Sequence, residues 1–159
     1  MAGHRFAFRR GLTALIVGLI LVSGFAPVAA ALEFGRSTVT IETVTGGKYR
    51  FAVEVAETPA ELQQGLMYRD AMAEEAGMLF LFGEERYATF WMKNTFVALD
   101  MLFIARDGHI LAIHQKALPG SQNLISPTMP VFAVMEINAG LVARLGIHLG
   151  DRVHHKAFD

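Results

Sequence analysis

The chain has 159 residues, enough for one domain and short for two. It carries 14 Lys and Arg against 15 Asp and Glu, and it has no Cys, which excludes disulfides, thiolate chemistry and lipid attachment through an N-terminal Cys. Setting aside Arg5, Arg9 and Arg10 near the N-terminus leaves 11 basic against 15 acidic residues, a balance of −4 that argues against nucleic-acid binding.

Residues 1–31 read as a secretory signal. The three arginines form a positive n-region, residues 12–22 an apolar h-region, and Pro27 followed by Val28, Ala29, Ala30 and Ala31 offers a small-residue cleavage site. The apolar run is short for a bilayer span, which needs about 20 residues. The expectation is therefore an exported, periplasmic or extracytoplasmic protein that meets the membrane only if this segment stays uncleaved. Residues 32–159 then form a single domain.

Residues 38–44 and 49–55 alternate with period two around Gly46-Gly47, the pattern of an antiparallel hairpin. Thr58, Pro59 and Glu61 make a capping box with Pro in the first turn, which predicts a helix over residues 59–67 with Gly65 inside it. Residues 77–82 are apolar throughout and predict a strand buried on both faces. Residues 83–86 read as a solvated turn. Residues 90–92 and 99–105 predict two further strands around Lys93-Asn94-Thr95, and Asp107-Gly108 predicts a second hairpin leading into a strand over 110–114. A loop over 119–130 precedes a strand over 131–137. Asn138 is then expected to cap a helix over 139–145 that stops at Gly146, and a last short strand covers 152–155. The sum is a mainly β domain, an antiparallel β sandwich or barrel of about seven strands with two short helices.

Several blocks stand out in order along the chain. They are Gly65-Leu66-Met67-Tyr68-Arg69, Gly77-Met78-Leu79-Phe80, Phe90-Trp91-Met92-Lys93-Asn94-Thr95, Leu99-Asp100-Met101, Ala117-Leu118-Pro119-Gly120-Ser121, Met135-Glu136-Ile137-Asn138-Ala139-Gly140, and Gly146-Ile147 with Gly150-Asp151. This set resembles the DUF192 family, also called UPF0127, over nearly all of residues 32–159. The chain departs from the family pattern at Val97-Ala98, where an Ile-Pro pair is more usual. The resemblance implies a compact, mostly β domain, often exported in bacteria, and implies no particular biochemical activity.

Arg69, Lys93, Asn94, Asp100 and Glu136 are polar residues inside apolar blocks, where an unpaired charge is costly. One reading is structural: cations pair with the two acids while Asn94 and Thr95 bond their own turn. The functional reading places Arg69, Trp91, Lys93, Asn94, Thr95, Asp100 and Glu136 around a cleft for a small anionic or saccharide ligand, since an aromatic wall with a few polar groups is the usual form of such a site. That makes the chain a non-enzymatic binding or accessory domain needing no cofactor or metal. Two alternatives compete with it. Asp100 and Glu136 would be the acid and base of an envelope saccharide hydrolase if their carboxyl groups stand roughly 5–10 Å apart. Otherwise the domain is a scaffold binding an envelope protein through a sheet edge or apolar patch. His148, His154 and His155 read as a solvated tail and not a metal site, because neighbours on a strand point to opposite faces. Met67, Met78, Met92, Met101 and Met135 read as core filler, with a soft-metal thioether site as the lesser alternative.

Overall fold

The computed structural model describes Met1 and residues 32–159. The signal segment expected over residues 1–31 lies, apart from Met1, outside the described residues. Among the described residues, no helix is long and apolar enough to cross a membrane.

Seven strands form one sheet: β1 (Gly35–Glu42), β2 (Lys48–Ala56), β3 (Ala76–Arg86), β4 (Leu99–Ile104), β5 (Ile110–Ala117), β6 (Val131–Asn138) and β7 (Arg152–His154). Their spatial order is β5-β4-β6-β3-β2-β1-β7. Two short helices, α1 (Pro59–Gln64) and α2 (Leu141–Leu145), complete the domain. Curling brings the two edges together at one end. His109 bridges Arg152, and Ile110 donates to the Asp151 carbonyl at 2.9 Å, so the sheet is a half-barrel that is nearly closed there.

The expected β architecture is therefore present, with one difference in strand direction. β2 and β3 run parallel, in the register Ala52–Ala76 to Ala56–Phe80, and every other pair is antiparallel. A parallel pair needs a crossover. Residues 57–75, including α1, supply it. Three local expectations are also corrected. Residues 83–86 continue β3 past a register shift, and Arg86 pairs with Val131 instead of turning in solvent. Residues 90–92 are not a strand of the sheet; Phe90 makes one isolated bridge, to Ile125. Gly65 does not lie inside α1 but ends it, at φ +46°, where an added Cβ would lie 3.0 Å from the Phe80 ring.

The capping box is present. Thr58 Oγ1 accepts from the Glu61 amide, and the Glu61 carboxylate accepts from the Glu57 and Thr58 amides, both at 2.9 Å. Thr58→Ala is expected to lower stability by about 1 kcal/mol, measured by urea unfolding at unchanged m-value.

Side chains alternate across the sheet and build two cores. Inside the curl, Leu79, Leu81, Leu102, Ile104, Met135 and Ile137 pack with residues of β1, β2, β7 and α2. On the outer face Met78, Phe80, Met101, Phe103 and Val134 pack with Leu66, Ala88 and Met92. β3 and β6 approach closely at Gly77, where a Cβ would sit 2.6 Å from the Glu136 carbonyl oxygen. Only glycine fits there.

Candidate functional site

The outer face carries a cleft of about 740 Å³, lined by α1 and the segment after it, by β3, and by residues 86–95. Leu66, Phe80, Ala88 and Glu136 are buried and form its floor, while Tyr68, Arg86, Trp91 and Lys93 are exposed at its rim. Phe90 stands edge-on to Phe80, with centroids 5.1 Å apart, and fixes the wall beneath Trp91.

The rim depends on two tight backbone features. Thr95 donates to the Met92 carbonyl at 3.0 Å, closing a turn with Lys93 and Asn94 at its centre. Asn94 takes φ +59°, a conformation Asn tolerates at the third position of a turn. Tyr68 has φ +65°, uncommon for a bulky side chain. The two residues hold each other: the Tyr68 amide donates to the Asn94 carbonyl at 2.7 Å, and Asn94 Nδ2 donates to the Tyr68 hydroxyl at 3.1 Å. Backbone strain of this kind gathers at ligand sites.

Glu136 is the unusual group. Strand register sets it directly between Met78 on β3 and Met101 on β4, with its side chain on the outer face. It is 4% exposed, and its carboxyl has no hydrogen-bond or ion-pair partner among the described residues. Burial alone pushes its pKa up to about 8, so it is a neutral acid at neutral pH, able both to donate and to accept.

Asp100 contrasts with it at every point. It pairs with Ile137 in the register, so it points to the inner face, opposite to Glu136. Its Oδ1 accepts from the Lys116 amide at 2.8 Å, and its Oδ2 from the amides of Gly140 and Val142 at 2.9 and 3.0 Å. The N-cap residue of α2 is Gly140 and not the expected Asn138, and this carboxylate supplies the acceptor that a glycine lacks. The Asn138 amide instead donates to the carbonyls of Met72 and Ala73. With Asp100 saturated by backbone amides and separated from Glu136 by the sheet, the two cannot flank one glycosidic bond. The acid–base pair of the hydrolase reading is overturned.

Of the residues expected at the site, Trp91, Lys93, Asn94, Thr95 and Glu136 line the cleft, and Arg69 and Asp100 do not. Arg69 pairs with Glu54 and lies 5.9 Å over the Phe34 ring. Sequence reasoning missed Tyr68, Arg86 and the amides Gln63 and Gln64, which also line the cleft. Arg86 looked like part of a turn, and nothing local marks Tyr68 as left-handed.

The histidines do not converge. His154 contacts Glu42 at 2.8 Å, and His148 Nδ1 contacts the Gly146 carbonyl. His155 is buried, not part of a solvated tail. Its Nδ1 accepts from the Ala157 amide, which assigns the proton to Nε2 and makes it a donor to Ser37 Oγ at 2.9 Å. A ring in that tautomer is not a base for the serine.

Comparison with known proteins agrees with the fold. Residues 40–155 match the family model of DUF192, described as an uncharacterized ACR. A crystal structure from Sinorhizobium meliloti 1021, described as a candidate transcription regulator, is 45% identical and superposes with a TM-score of 0.79 over 80% of this chain and 99% of that one. A protein of unknown function from Novosphingobium aromaticivorans DSM 12444 is 38% identical, with a TM-score of 0.73 over 80% of this chain and 94% of that one. No curated protein matches. The match over residues 40–155, with the same fold in two such similar chains, means that this protein belongs to the DUF192 family.

Proposed function

We propose that the outer-face cleft binds a small polyhydroxylated ligand of the saccharide type, and that the domain is a non-enzymatic binding module of the cell envelope. One observation carries the reading: Glu136, 4% exposed and with no side-chain partner among the described residues, lies in the floor of a cleft whose rim holds Trp91. A protein gains nothing in stability from such a carboxyl, whereas a ligand hydroxyl would satisfy it. The amides of Gln63, Gln64 and Asn94 and the hydroxyls of Tyr68 and Thr89 add donors and acceptors beside aromatic faces, which suits a ring that is polar at its edge and apolar on its face. The envelope location rests on the signal-like pattern of residues 1–31.

The description of the Sinorhizobium relative is not carried over. Residues 32–159 have the −4 balance, and helices of six and five residues offer no recognition helix for a major groove.

Trp91 is the sole Trp, so its fluorescence reports on the cleft alone. Titrating residues 32–159 with glucose-based mono- and oligosaccharides is expected to shift and saturate that signal. Lys93 is exposed, has no carboxylate within 4 Å among the described residues and lies over the Trp91 ring face, so Lys93→Ala should change stability by no more than about 1 kcal/mol. An unchanged Trp91 signal with every saccharide, or a severe loss of stability in Lys93→Ala, would sink the reading.

A further inference from the structure

The charge around the cleft is one-sided. Its two cationic side chains, Lys93 and Arg86, have no carboxylate partner among the described residues. Each lies instead over an aromatic face: the Lys93 ammonium is 5.3 Å from the centre of the Trp91 ring, and the Arg86 guanidinium 4.9 Å from that of Phe82. Contacts of this kind at exposed positions are worth about 0.5–1 kcal/mol, weak enough to yield to a better partner. The single acid among the lining residues is Glu136, in the floor.

We propose that the ligand is an acidic saccharide, whose carboxylate or phosphate substituent is drawn to the cationic rim of Lys93 and Arg86 while a ring hydroxyl bonds the Glu136 carboxyl. This rests on the saccharide reading above and adds its charge. The rim cations stand at the entrance, in contact with solvent, so they select the ligand's charge and speed its approach. The buried acid, being both donor and acceptor, meets a hydroxyl well and an anion poorly. That assigns the negative substituent to the mouth and the neutral ring to the floor. An amino sugar would meet two like charges before reaching Glu136.

The test uses probes that share a glucose ring and differ in charge: glucose, glucuronate, glucose 6-phosphate and glucosamine. Each is titrated at pH 7 against residues 32–159 while following the Trp91 indole NMR cross-peak. The expected result is that glucuronate or glucose 6-phosphate binds at least tenfold more tightly than glucose and glucosamine, and which of the two does so names the anionic group. The preference should shrink with added salt and fall at least fivefold in Lys93→Ala. Equal affinities for all four, or tightest binding of glucosamine, would overturn the acidic ligand and leave the saccharide reading standing. No movement of the cross-peak with any of them would overturn both.

Discussion

Asp100→Ala is expected to cost the domain about 4–6 kcal/mol, from the loss of hydrogen bonds to a charged acceptor worth roughly 1.5–3 kcal/mol each. The side chain is 0% exposed, and its removal takes the acceptor from the amides of Lys116, Gly140 and Val142, the first two part-buried and the last buried. Two features depend on those bonds. Lys116, at φ +57°, sits in the register shift where β5 bulges against β4. Gly140 is the cap of α2, a five-residue helix too short to hold its own first turn. Asp100→Asn keeps one acceptor oxygen but turns an NH₂ toward an amide, and should cost about half as much. Chemical denaturation at pH 7 measures both. For a domain whose total stability is typically 5–15 kcal/mol, the alanine variant should lie near the folding threshold. A loss under about 1 kcal/mol would show that the carboxylate is not what holds these amides.

The other buried acid should behave in the opposite sense. Burial raises the Glu136 pKa from 4.5 to about 8, so the folded chain holds this proton while the unfolded chain releases it. Below pH 4.5 both states are protonated and the group is neutral toward folding. As pH rises from there to about 8 the unfolded state gains by ionising, and stability is lost through that window. Above it both states are ionised and the loss stops growing. Glu136→Gln, which keeps the shape and cannot ionise, should therefore be more stable than the wild type at pH 8 by on the order of 3–4 kcal/mol, and nearly equal to it below pH 5. Taking the difference between the two unfolding curves across pH cancels every contribution common to both variants. A flat difference would mean that Glu136 is ionised and paired in the native state.

How far these roles were legible follows from whether each is local. The capping box at Thr58 and Glu61 needs only a turn of chain, and it is present as read. The apolar run of β3 is readable because a strand between β2 and β6 is covered on both faces. The parallel pairing of β2 with β3 is not readable, because direction depends on where the crossover through α1 lands. Residues 90–92 look like a strand because they are apolar, but Met92 is 1% exposed in the outer core while Trp91 is 44% exposed at the rim. That separation serves a loop draped over the sheet as well as it serves a strand.

The two acids are the clearest case. In the sequence both are lone carboxylates inside apolar runs, and both read as parts of one site. Their difference is one residue of register: Asp100 faces Ile137, so Glu136 faces Met101, and the pair falls on opposite sides of the sheet. No periodicity within either strand contains that fact. Arg69 is not legible for a similar reason, since its partner Glu54 stands on β2, 15 residues earlier, and nothing local joins the two. Trp91, Lys93, Asn94 and Thr95 were legible as a group because one turn holds them together.

The measurement that bears most directly on the account is the pairing of stability with binding in Glu136→Met. A methionine between Met78 and Met101 fills the same space without a polar group, and replacing buried ionisable groups by well-packed apolar ones is often stabilising by about 1–4 kcal/mol. Unfolding at pH 7 and the Trp91 fluorescence titration, run on the same preparation, give both quantities. The account predicts a variant more stable than the wild type that no longer binds the saccharide, because Glu136 is kept for the ligand and at the expense of the fold. A variant that is less stable, or one that binds as the wild type does, would make Glu136 a structural residue and contradict the account.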